Sequence, residues 1–221
     1  MSKLTLYIIV MALFSCREPN NTRPIDRLDT INKERVVLYE EDPAAKGDRG
    51  TLFLGNISRL IGLPNIQKGT AGLYIRIWLW DASQKYIINI SKDGERNKCH
   101  IVEMNSRRKD NAEYLIIHRE WDVKPKAGWD GCWATIEKFK IPYLKSGKSQ
   151  QELGHHLTLM SYVNFEIARP NQYHYYEYLQ PDYFRNIDAN SRLVNDFLMY
   201  LNAEMNLNVY TPIESLPAEP K

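Results

Sequence analysis

The chain of 221 residues has few cysteines and few glycines, 3 and 11, and no real surplus of either charge. Three cysteines exclude a disulfide-dense scaffold of the kind small secreted domains use in place of a core. The glycines form neither a phosphate-cradling loop nor a dinucleotide fingerprint, and no serine nucleophile elbow or spaced acidic metal motif occurs. Lys and Arg number 29 against 27 Asp and Glu. Nucleic acid binding calls for a basic surplus or an RNA-reading motif, and neither is present, so no nucleic acid partner is expected. The basic residues from Lys92 to Lys109 (Lys92, Arg96, Lys98, Arg107, Arg108, Lys109) are offset by Asp93, Glu95 and Glu103, as on a solvated strand and loop face. Long hydrophobic runs are also missing. The apolar stretch from Leu4 to Phe14 is far shorter than the roughly twenty residues that span a bilayer.

That stretch has another use. Lys3 precedes it, and it stops at Ser15 and Cys16. A basic residue, a short apolar core and a closing cysteine make a signal peptide over residues 1–15 with lipid attachment at Cys16. Residues Leu13, Phe14, Ser15 and Cys16 resemble the bacterial lipoprotein signal, whose tripeptide ends in the lipidated cysteine. The resemblance implies a protein of the cell envelope, bound to a membrane through lipid on Cys16. At about 0.8 kcal/mol per buried methylene, the two or three acyl chains of that family would make attachment effectively permanent. The next residues, Arg17, Glu18, Pro19 and Asn20, lack an aspartate at the second position, which in the same family implies the outer membrane, facing the periplasm. Without residues 1–15 the chain carries 28 basic and 27 acidic side chains, so electrostatics names no partner.

Residues 16–34 are polar and rich in Pro and Asn, which predicts a flexible tether, on the order of 25 Å in average span. Residues 213–221, with Pro217, Pro220, Glu214 and Glu219, read as a disordered tail. Residues 35–212 between them are long enough for a single domain with a real core. Within it, Leu73, Ile75, Ile77 and Leu79 alternate with Tyr74, Arg76, Trp78 and Trp80, the period of two that marks a strand. Further strands are expected at Tyr86–Ile90, Cys99–Met104, Glu113–Trp121 and Trp133–Phe139, completing a five-strand meander. Ser161–Ala168 and Gln172–Tyr178 flank Arg169, Pro170 and Asn171 as a second hairpin. Near the end, Asp188 can cap a helix in which Leu193, Val194, Phe197, Leu198, Leu201 and Met205 share one face. Shorter helices are expected at Leu54–Ile61 and Gln150–Leu157. The fold class is therefore α+β: one mostly antiparallel, curved sheet of about six to seven strands with a C-terminal amphipathic helix packed on it.

Four sets of residues could carry chemistry. Cys99 and Cys132 form an even pair in an oxidising compartment, either bridged or two buried thiols. Glu152, His155 and His156 are weak metal candidates, because neighbouring histidines point about 100° apart on a helix and do not make the HExxH pattern. Tyr173, Tyr175 and Glu177 would share one face of a strand, with His174, Tyr176 and Tyr178 on the other, so one face packs and the other can bind. Trp129, between Gly128 and Gly131, is expected in an exposed turn where a ring could stack on a sugar or enter a partner groove. No cofactor is expected. These features favour a binding or interaction module for a protein or glycan partner, and not an enzyme; the alternative is a small envelope hydrolase acting on polysaccharide or peptide.

Overall fold

The computed structural model describes residues 35–39, 49–80, 84–109, 112–147 and 161–212. Cys16, the tether, the tail, the Gln150–Leu157 segment and the candidates Glu152, His155 and His156 lie outside the described residues. The elements in chain order are β1 (Arg35–Tyr39), α1 (Arg49–Leu60), β2 (Leu73–Trp80), β3 (Lys85–Asp93), β4 (Arg96–Lys109), β5 (Ala112–Val123), α2 (Gly128–Lys138), β6 (Tyr162–Arg169), β7 (Gln172–Leu179), the single turn α3 (Pro181–Phe184) and α4 (Ala189–Glu204). The strands form one open antiparallel sheet in the order β1, β5, β4, β3, β2, β6, β7. The fold is α+β, with α4 packed on the sheet.

The hairpins β2–β3 and β6–β7 stand where alternation and turn residues put them, and the meander runs through β2, β3, β4 and β5. Its fifth member differs. Trp133–Phe139 is not a strand but most of helix α2 and its C-cap, and Trp129 sits in the first turn of that helix instead of an exposed loop. The alternation over 133–139 leaves apolar residues on both sides, whereas Trp129, Cys132, Trp133 and Ile136 recur at the helical spacing of three and four. Cys132, Trp133 and Ile136 are buried along that stripe. Lys140, in a left-handed conformation with φ 53°, and Pro142 in the following 3-10 turn end the helix. The strand beside β5 is instead β1, paired from Arg35 opposite Ile117 to Tyr39 opposite Glu113.

Both flanking helices end and begin with sequence-encoded stops. Helix α1 closes in a Schellman motif: Leu63 N–H donates to Ser58 C=O (2.8 Å), Gly62 N–H donates to Arg59 C=O (3.2 Å), and Gly62 takes φ +79°, where a side chain would be strained. Helix α4 begins at Asp188, whose Oδ2 accepts from Ser191 N–H (2.8 Å) and Ser191 Oγ–H (2.6 Å).

Period-two alternation then gives the sheet two unlike faces. Ile75, Ile77, Ile88, Ile101, Phe165 and Ile167 point to α2 and α4, where Ile136, Phe197 and Leu201 complete an apolar core. Trp78, Ile87, Val102, Met104 and Leu115 point the other way and meet Leu54, Ile57 and Ile61 of α1. A register shift between Glu103 and Met104 marks an irregularity in the β4–β5 ladder, without which the alternation of β5 would fall out of step with β4.

Candidate functional site

The face under α1 carries the chemistry. Register places Arg76 opposite Asn89 of β3 and Glu166 of β6, so three polar residues line up across the sheet beneath the helix. All three are buried. Arg76 engages all three guanidinium nitrogens: Nε donates to Asn89 Oδ1 (2.8 Å), Nη1 to Ser58 Oγ (2.8 Å) and Glu166 Oε2 (3.3 Å), and Nη2 to the Pro64 carbonyl (2.7 Å). Glu166 also accepts from Trp78 Nε1–H (2.7 Å) on Oε2 and from the Tyr173 hydroxyl (2.9 Å) on Oε1. Burial, and then the Glu166 carboxylate, push the Tyr173 phenol well above its ordinary pKa, so it stays a donor. Two buried charges are tolerable here because nearly every lone pair and proton is matched.

Beside this network the helix and sheet part to leave a half-open cavity of about 370 Å³. Its apolar wall is Phe53, Leu54, Ile57, Trp80 and Leu115; its polar groups are Lys85, Tyr162, Asn164, Tyr175 and Glu177. Trp80 meets Phe53 at 5.7 Å between centroids and stacks on the fully buried Trp78 with planes 5° apart, so its orientation is fixed from below. Lys85 Nζ lies 5.8 Å from the Trp80 centroid and donates to Ser106 Oγ (2.8 Å). Across the sheet, the Tyr175 hydroxyl is 3.0 Å from Asn164 Oδ1 and 2.9 Å from Glu177 Oε2.

The structure sorts the sequence-based candidates. Tyr173, Tyr175 and Glu177 do share a face of β7, and Tyr175 and Glu177 reach the cavity while Tyr173 backs the buried network. His174 and Tyr176 stack on the opposite face (6.1 Å), and Tyr178 is buried in the apolar core with its hydroxyl donating to the Lys145 carbonyl. Trp129 is half-buried on α2, stacked on Trp133 at 6.1 Å, across the sheet from the cavity. Cys99 of β4 and Cys132 of α2 are free, fully buried thiols in the same core, and burial pushes the Cys132 thiol up to about 11. Among the described residues no cluster of three His, Cys, Asp or Glu could hold a metal ion.

Sequence inspection missed Phe53, Trp80, Lys85, Tyr162 and Asn164 as one lining, because their proximity depends on strand order and on where α1 docks. One signal was present: Arg76 interrupts an otherwise aromatic face of β2, and a charge among tryptophans needs a partner. No family model, curated protein or solved structure matches this chain.

Proposed function

We propose that the protein is a lipid-anchored envelope protein that acts as a binding module for a protein or glycan partner, and that the cavity between α1 and the sheet is its recognition site. The observation that carries this is the lining itself. A fixed Trp80–Phe53 wall faces Lys85, Asn164, Tyr175 and Glu177, an apolar surface with a few convergent polar groups. The bacterial lipoprotein resemblance at Cys16 supplies the anchor, and no described helix is long and apolar enough to cross a membrane. A hydrolase working through two carboxylates needs them about 5 to 10 Å apart in one cleft. Among the described residues lining this cavity Glu177 is the one carboxylate, whereas Glu166 lies buried and engaged by Arg76, Trp78 and Tyr173.

The test is capture from envelope extract by the detergent-solubilised full chain, beside Trp80→Ala, Tyr175→Ala and Trp129→Ala. A stoichiometric partner lost with the first two and kept with the third supports the proposal. Equal capture by all four proteins would move recognition away from the cavity. The anchor is tested separately: Cys16→Ser should leave the membrane fraction, and if it still sediments with membranes the lipid role is wrong.

A further inference from the structure

The two walls of the cavity differ in charge and in hydrogen-bonding sense, and together they narrow the occupant. On one wall the Asn164, Tyr175 and Glu177 side chains form a row in which a single phenolic proton serves two neighbouring acceptors, Asn164 Oδ1 at 3.0 Å and Glu177 Oε2 at 2.9 Å. A hydroxyl has one proton to give, and although the Asn164 amide adds N–H donors, the Glu177 carboxylate only accepts, so that end of the row suits a ligand that brings protons of its own. On the other wall Lys85 offers an ammonium over Trp80. The strand order β3, β2, β6, β7 puts Lys85 and Glu177 three strand steps apart, about 14 Å at backbone level, with Trp80 and Asn164 on the two strands between them.

Four ligand classes can be weighed against that pattern. A purely apolar molecule would strip water from Lys85 and Glu177 without replacing it, at a cost that its contact with Trp80 would not recover. An anion suits Lys85 and meets Glu177 as a like charge; a cation suits Glu177 and meets Lys85 as one. A neutral polyol satisfies both walls, and a pyranose also has an apolar C–H face that lies flat on an aromatic ring while its rim hydroxyls hydrogen-bond. The cavity volume of about 370 Å³ is near the lower end of the ligand-pocket range, and a ligand that reaches from Lys85 to Glu177 needs more than one ring.

We infer that the site takes an uncharged disaccharide unit of a glycan, one ring on Trp80 and adjacent hydroxyls of the other donating to Asn164 and Glu177. This deepens the binding function proposed above and rests on it. Trp80 and Phe53 set the stacking plane, Glu177 and Asn164 accept from the hydroxyls, and Lys85 donates to an oxygen of the ring seated on Trp80.

The experiment is isothermal titration of the detergent-solubilised full chain with cellobiose, maltose and diacetylchitobiose, each up to about 10 mM, since glycan affinities near the millimolar level remain measurable. One of the three should bind with a single-site isotherm. Glu177→Gln, at an exposed position where folding is not at stake, should weaken it about tenfold by removing the charged acceptor. Trp80→Ala should abolish binding, and Trp80→Phe, which keeps an aromatic ring against Phe53, should recover part of it. Trp129→Ala should titrate like the parent. Heat from none of the disaccharides overturns the inference, as does binding that Glu177→Gln and Trp80→Ala leave unchanged. If a protein is captured through Trp80 and no disaccharide competes with it, the saccharide assignment falls and the binding function stands. If neither a protein nor a saccharide binds, both fall.

Discussion

The two faces of this sheet are built from the same strands and solve different problems. The face under α2 and α4 is dry and apolar, with Phe165, Phe197 and Ile136 fully buried and ring contacts such as Phe165–Tyr178 edge to face at 6.0 Å. The face under α1 buries an arginine and a glutamate and stops short of covering Trp80, Tyr175 and Glu177. Among the described residues two helices seal one side, and one helix leaves the other partly open. Stability therefore concentrates where the side chains are interchangeable hydrocarbons, and specificity where each polar atom has a named partner. A site can be kept open because the opposite face does not need that area for its core.

The contrast can be broken from either side, and the largest effect is expected on the dry face. Phe197→Ala should destabilise by about 3 to 5 kcal/mol through lost transfer energy and a residual cavity, read as a lower urea midpoint with unchanged slope. On the polar face, Glu166→Gln should cost about 3 kcal/mol, because it leaves the Arg76 charge buried without its counter-ion. The sharper test adds Arg76→Met: if the double variant is no less stable than Glu166→Gln, the pair gives specificity more than stability, and a double variant much weaker than either single change would refute that. Asp188→Ala removes both cap bonds of α4 and should cost about 1 to 2 kcal/mol, measured by thermal unfolding.

At alkaline pH the contribution of the buried thiols starts to fall ahead of that of the buried phenols. Burial raises the Cys132 thiol from 9.0 to about 11 and raises Cys99 as well, so the folded state holds protons that the unfolded state releases. Both contributions are complete below pH 9; that of Cys132 is lost as pH rises toward 11, and that of Cys99, raised further by burial, is lost over a wider range. Tyr173 on the polar face and Tyr178 in the apolar core, both raised from 10.0 by burial, add their losses only above pH 10. Urea midpoints at pH 8, 9.5 and 10.5 should fall in that order, and Cys132→Ala should lessen the earlier part of the decline, leaving the share of Cys99.

Much of this architecture is legible in the sequence because alternation and caps are local. Leu73–Trp80 reads as a strand, the Arg169–Pro170–Asn171 turn joins β6 to β7, and Asp188 with the 193–205 stripe fixes α4. Two local errors have physical causes. Over 133–139 a short apolar run satisfied two periods, and only the Trp129–Ile136 stripe broke the tie in favour of a helix. Strand β1 was not anticipated, being five residues beside a polar segment, and its pairing depends on a partner some eighty residues away. The site was half legible. Tyr175 and Glu177 could be placed on one face from spacing alone, but Asn164, Trp80 and Phe53 come to them through β6–β7 register, β2–β6 adjacency and the docking of α1, none of which is written in a local pattern.

The Arg76–Glu166 pair also bears on how the chain finds its alignment. Strands β2 and β6 are neighbours in the sheet, yet the bonded residues are 90 positions apart, farther in sequence than any paired residues of the other neighbouring strands, so their pairing closes a long loop. A slip of one residue along β6 would turn Glu166 toward Phe197 and Ile136 and leave the guanidinium of Arg76 against Ile167, a bare charge on each side. Isoleucine and phenylalanine on the hydrocarbon side carry no directional partners, so they distinguish alignments by fit alone. One salt bridge tells them apart, and it acts as a registration mark when the two halves of the chain meet.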